Sequence, residues 1–85
     1  MRLYHEREVP RGGALDVRDE QECFTQRGKR TGVWLSTEPA RGELAYSADV
    51  ELAAVEQYEV SGDDAEHRVF VVPGAVVSGL DFATS

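Results

Sequence analysis

The chain predicts a small α+β domain, a mostly antiparallel sheet with one or two short helices. Three observations carry that expectation. Val33-Trp34-Leu35 is a β-branched, aromatic and aliphatic run bounded by Gly32 and by Ser36-Thr37-Glu38-Pro39, which is a strand signature. Val69-Phe70-Val71-Val72 carries no polar residue, as a strand covered on both faces does. Helical periodicity is confined to short stretches, and turn residues interrupt every longer one.

In chain order, Leu3-Tyr4-His5 reads as a first strand, broken by Val9-Pro10-Arg11-Gly12-Gly13. Over 14–24, a short helix would solvate Asp16, Asp19, Glu20 and Glu22 and turn Leu15, Val17, Cys23 and Phe24 inward. Residues 26–32 read as a loop leading into the Val33 strand, and Pro39 and Gly42 mark a turn-rich connection. A short helix over 49–55 passes into a strand over 56–60. The polar Ser61-Gly62-Asp63-Asp64-Ala65 turn then pairs 57–60 with 68–72 as a hairpin. Pro73-Gly74 ends that strand, and Ala75-Val76-Val77 reads as a last edge strand or a short turn. Residues 1–80 form the single domain and 81–85 a frayed tail.

Charge narrows the classes of function. The 85 residues carry a net charge of −7, unevenly spread: +1 over residues 1–42 and −8 over 43–85. General nucleic-acid binding needs a basic face to displace counterions, so it is not expected. A locally basic first half still suits a small anion. No apolar run approaches the ~20 residues that span a bilayer, and the first residues hold no apolar stretch of signal-peptide length. The lone Cys23 has no partner for an internal disulfide, and a cytoplasmic setting is the expectation.

The candidate site residues cluster around one stretch. Arg27, Lys29 and Arg30 alternate with Gly28 and Gly32, giving cationic forks beside backbone that an anion can approach. No complete phosphate-loop pattern is present, so this is either an anion site or a solvated loop. His5 offers a ring that can donate at one nitrogen and accept at the other, for a ribose hydroxyl or for a structural bond. Trp34 is either core or the wall of a pocket for a planar ring. Ser36 is either a pocket hydroxyl or a turn cap. Asp63, Asp64, Glu66 and His67 match no calcium-loop spacing, and no metal is expected. Cys23 reads as buried rather than nucleophilic.

Leu3-Tyr4-His5, then Thr31-Gly32-Val33-Trp34-Leu35-Ser36, then Tyr58-Glu59-Val60 leading into Arg68-Val69-Phe70-Val71-Val72-Pro73 together resemble small bacterial and phage proteins related to the ADP-ribosyltransferase and RNA 2′-phosphotransferase fold. The resemblance covers about a third of the chain. It implies a split antiparallel sheet clasping NAD, ADP-ribose or a related nucleotide. His5 would contact the ribose, with Arg27, Arg30, Trp34 and Ser36 in the cleft. Val69 stands where such relatives hold a catalytic glutamate, leaving Glu66 as the replacement acid, so binding is favoured over transfer. The alternative is a non-catalytic acidic protein, an inhibitor or immunity-type factor, docking on a basic partner surface. The apolar 69–77 stretch also allows an edge-to-edge homodimer.

Overall fold

The structure, a computed structural model, describes residues 1–84. In chain order the strands are β1 (Arg2–Glu6), β2 (Gln21–Thr25), β3 (Gly28–Ser36), β4 (Ala45–Asp49), β5 (Val69–Val72) and β6 (Ala83–Thr84). Two one-turn helices, α1 (Leu52–Val55) and α2 (Gly74–Val77), lie between them, and 3-10 turns occupy Val17–Asp19 and Glu56–Tyr58. Every strand pairing among the described residues is antiparallel. The small α+β class expected from the sequence is therefore what forms.

β3 organises the sheet because it is long enough to serve different partners at its two ends. Its first half pairs with β2, from Thr25↔Gly28 to Gln21↔Gly32. Its second half pairs with β5, from Val33↔Val72 to Ser36↔Val69. β1 meets β3 at the single pair Tyr4↔Ser36 but runs its whole length against β4. β6 closes the far edge on β4, so the order is β2-β3-β1-β4-β6 with β5 also on β3.

Side chains alternate across a strand, and the apolar ones sort into two clusters accordingly. Leu3, Val33, Leu35, Ala48, Phe70 and Val72 turn to one face, where Leu15, Val55, Val77 and Phe82 close the main core. Val71, Cys23 and Val60 form a smaller cluster, with Trp34 and Val69 against it. β5 thus contributes to both clusters, as its unbroken apolar sequence implies. Cys23 is buried, and burial pushes its thiol pKa up.

Several local expectations are corrected. No α-helix forms over 14–24. The Asp16 carboxylate and the Asp19 side chain close a capping box on the Val17–Asp19 turn, and Gln21–Thr25 then follows a two-residue period. That period buries Cys23 and leaves Phe24, expected inward, 81% exposed. The loop expected over 26–32 shrinks to the Gln26-Arg27 turn, because Gly28 adopts φ 95° and lets β3 begin at once. The strand expected over 56–60 is a 3-10 turn followed by one bridge, Glu59↔Phe70. Ala75-Val76-Val77 takes the turn alternative, as part of α2. Residues 81–84 are not a free tail: Phe82 is 8% exposed and β6 pairs with β4, while Ser85 lies outside the described residues. No helix among the described residues is long and apolar enough to cross a membrane.

Candidate functional site

The register of three strands builds a groove on the face opposite the main core. Tyr4 opposes Ser36 on β3 and Ser47 on β4, so Ser36, Tyr4 and Ser47 form one row across the sheet. Alternation adds Arg2 and Glu6 from β1 and Trp34 from β3 to the same face. The connection from β3 to β4 then folds back, and its Pro39-Ala40-Arg41 segment walls the row. Two adjoining depressions result, sharing Tyr4, Pro39, Ala40 and Arg41. One, of about 370 Å³, reaches Trp34, Ser36 and Glu38 and borders His5. The other, of about 390 Å³, reaches Arg2 and Ser47.

Two polar groups there keep hydrogen-bonding capacity to spare. The Arg41 side chain is exposed and makes no hydrogen bond or ion pair among the described residues. Ser36 Oγ accepts the Glu38 N–H at 3.0 Å, which leaves its hydroxyl hydrogen free to donate. Two aromatic rings, a hydroxyl and a guanidinium fork in one concavity can hold a planar ring whose anionic group lies at Arg41, away from the Glu6 and Glu38 carboxylates that also line it.

Of the residues singled out in the sequence, His5, Trp34 and Ser36 border this groove together. The His5 ring itself is 4% exposed, and Nδ1 lies 2.8 Å from the Trp34 carbonyl. A carbonyl only accepts, so Nδ1 carries the proton and the ring bridges β1 to β3 where their ladder stops. Trp34 is half-buried against the smaller cluster rather than enclosed by the main core. Arg27, Arg30 and Glu66 stay outside the groove. Arg30 is exposed on β3, donating to the neighbouring Lys29 carbonyl at 3.0 Å. Glu66 is exposed between the Glu59 bridge and β5. Val69, at the position of the expected acid, packs against the smaller cluster. Among the described residues no group of three or more His, Cys, Asp or Glu side chains is arranged to hold a metal ion.

Arg27 belongs to a separate concavity with Glu59, Ser61, Asp63 and Arg68. Its Nε donates to the Ser61 carbonyl at 3.3 Å. Arg68 grips Glu59 with two bonds, of 2.8 and 2.7 Å, and Ser61 Oγ donates to the same carboxylate at 2.7 Å. These hydrogen bonds, from Arg68 first and Ser61 second, lower the Glu59 pKa from 4.5 to about 2. A carboxylate that ionises more readily in the folded chain stabilises it above the unfolded pKa and loses that contribution as the pH falls. Stability is therefore expected to decline between pH 4.5 and about 2. Solvent screening of this partly exposed pair limits the Glu59 share to about 1 kcal/mol. Urea titrations across that window check it: Glu59→Gln should flatten the decline, and an unchanged slope would contradict the assignment.

Arg7, which no sequence motif marks, is the most heavily bonded side chain among the described residues. Arg7 and Asp19 side chains are 2% and 5% exposed, with Nε to Oδ1 at 2.9 Å. Arg7 also donates to the carbonyls of Arg11, Gly13 and Ala14 and to the Tyr46 hydroxyl, and its guanidinium lies 4.4 Å from the Tyr46 ring centroid. Burial raises the Asp19 carboxyl pKa, but hydrogen bonds from Arg7, the Asp16 N–H and Arg11 outweigh it and hold the group below the usual carboxylate range. This network fixes residues 8–20 over the edge of the core. The signal for it was the two-residue period itself, since Leu3, His5 and Arg7 share one face.

No family model, curated protein or solved structure matches this chain.

Proposed function

We propose that the chain is a nucleotide-binding domain of the ADP-ribosyltransferase-like kind, taking NAD, ADP-ribose or a related nucleotide in the groove between β1, β3 and the Pro39-Ala40-Arg41 segment. One observation carries this reading. Tyr4, Trp34, Ser36 and an unpaired Arg41 line a single depression. Arg41 takes the phosphate-binding part that the sequence reading gave to Arg27 and Arg30. The single β1–β3 pair, Tyr4↔Ser36, supports a split sheet, with the His5 ring bracing the split through the Trp34 carbonyl. His5 on this reading positions the cleft rather than touching the ribose.

The function is binding without transfer. Val69 is apolar at the acid position, and Glu66 and Glu59 both lie outside the groove. Trp34 is the only tryptophan, so its fluorescence reports the groove directly. Titration with NAD, ADP-ribose or AMP is expected to quench that emission and to release heat in calorimetry. Arg41→Ala should weaken binding at least about tenfold, the size of one charge-assisted hydrogen bond. No heat and no fluorescence change at millimolar nucleotide would remove this reading.

A further inference from the structure

We infer that the depression beside β4 is a second anion subsite, built by Arg2 and Arg41, that selects ligands carrying a diphosphate over those carrying one phosphate. The inference rests on the nucleotide reading for the ring in the neighbouring depression, but its phosphate chemistry stands on other residues. Arg2 lies on β1 opposite Asp49 of β4. Its Nη2 donates to Ser47 Oγ at 3.0 Å, and both residues line that depression. Arg41 lines both depressions, so a phosphate held by it has Arg2 as the next cation along the groove. Pro39 and Ala40 supply a wall without charge, and Tyr4 separates the two halves.

The placement of charge fits a diphosphate: Arg2 and Arg41 both line the depression beside β4, whereas the carboxylates Glu6 and Glu38 line only the ring-holding one. Arg41 is the one arginine lining the ring-holding depression, and Arg2 does not reach it. A second phosphate needs a second fork, and Arg guanidinium meets phosphate oxygens in pairs. The two depressions adjoin through Tyr4, Pro39, Ala40 and Arg41, so a ligand whose ring lies in one can extend its phosphates into the other.

Arg2 is held in reserve by Asp49. Nη1 lies 3.2 Å from Asp49 Oδ2, with the side chains 49% and 83% exposed. An exposed pair of this kind is weak, so an arriving phosphate displaces the carboxylate at little cost. Asp49 is therefore a competitor whose removal strengthens the subsite, and a purely structural surface pair would show no such gain.

The test is calorimetry with inorganic pyrophosphate, AMP, ADP and ADP-ribose on the unaltered chain, Arg2→Gln and Asp49→Asn, with thermal unfolding of each to establish that both variants fold. Arg2→Gln is expected to weaken pyrophosphate, ADP and ADP-ribose about tenfold while leaving AMP within about twofold. Asp49→Asn is expected to tighten the three diphosphates about three- to tenfold. Equal effects of Arg2→Gln on AMP and ADP, or no gain from Asp49→Asn, would overturn the subsite while leaving the nucleotide reading intact. Pyrophosphate binding that depends on Arg2, with no nucleotide bound, would support the subsite and remove the nucleotide reading. Failure to bind pyrophosphate at all would overturn the subsite.

Discussion

Replacing Arg7 with methionine is expected to destabilise the chain by about 3–5 kcal/mol, because it strips the buried Asp19 carboxylate of its buried partner, leaving it only Arg11 and the Asp16 N–H. Whole domains of 85 residues hold about 4–13 kcal/mol, so this is a large share of the total. The melting temperature should fall by about 20 °C. The loss is not one bond. Three backbone carbonyls, the Tyr46 hydroxyl and the Asp19 carboxylate all accept from the same guanidinium. Lysine keeps the charge but has a single nitrogen and cannot reach that set, so Arg7→Lys should lose most of the same stability. Replacing Arg7 and Asp19 together by methionine and leucine should cost less than the two single changes combined, since neither of the two buried charges is then left without the other. Urea unfolding of the unaltered chain, Arg7→Met, Arg7→Lys, Asp19→Leu and the double variant measures this. A cost below about 1 kcal/mol for Arg7→Met would show that the network does not hold the 8–20 segment.

The contrast between Arg7 and Trp34 shows which parts of the molecule the sequence makes legible. Val33, Leu35, Phe70 and Val72 announce strands because β-branched and aromatic residues recur at the strand period. Trp34 and Ser36 follow, since residues two apart on a strand share a face. Arg7 gave no such announcement. It sits between Glu6 and Glu8, and a charged triplet reads as surface even though its position continues the Leu3-His5 face. The groove was half legible for another reason. Tyr4 meets Ser36 and Ser47 only through the cross-strand register, and Arg2 meets Asp49 the same way. Register between β1 and β4 is a long-range property that no local pattern encodes.

The basic stretch was misjudged through one glycine. With residues 26–32 taken as a loop, its cations converge on a common point. The positive φ of Gly28 instead closes the chain into a hairpin after two residues. Lys29 and Arg30 then point to opposite faces of β3, and Arg27 turns to the Ser61 carbonyl. Charge density in sequence thus became charge dispersion in space. Among the described residues the unpaired cation at the groove is Arg41, which stands alone in its segment and forms no cluster in the sequence.

Gly74→Ala is expected to cost about 3 kcal/mol, at the upper end of what overpacking causes. A Cβ built there would sit 2.4 Å from Val17 Cα and 2.6 Å from Val17 N. Both are backbone atoms, so no side-chain rotation relieves the contact. The Gly74 N–H also donates to Glu20 Oε2 at 2.7 Å, which draws α2 and the Val17–Asp19 turn together at the place where the clash arises. Relief requires the turn to lift away from α2. Arg7 and the Asp16–Asp19 capping box hold that turn down, and so the two large effects are coupled. With Arg7 in place the turn resists and the alanine is costly. In an Arg7→Met background the 8–20 segment is already loosened, and the same alanine should cost only about 1 kcal/mol. Gly12→Ala is the matched control, since nothing lies within 4 Å of its Cβ position. Urea midpoints for the two single changes and the double change decide the matter. Additive costs would mean that Gly74 and Arg7 act on separate parts of the fold, whereas a shortfall of about 2 kcal/mol in the double variant would place both on the one segment that closes over the core beside β1.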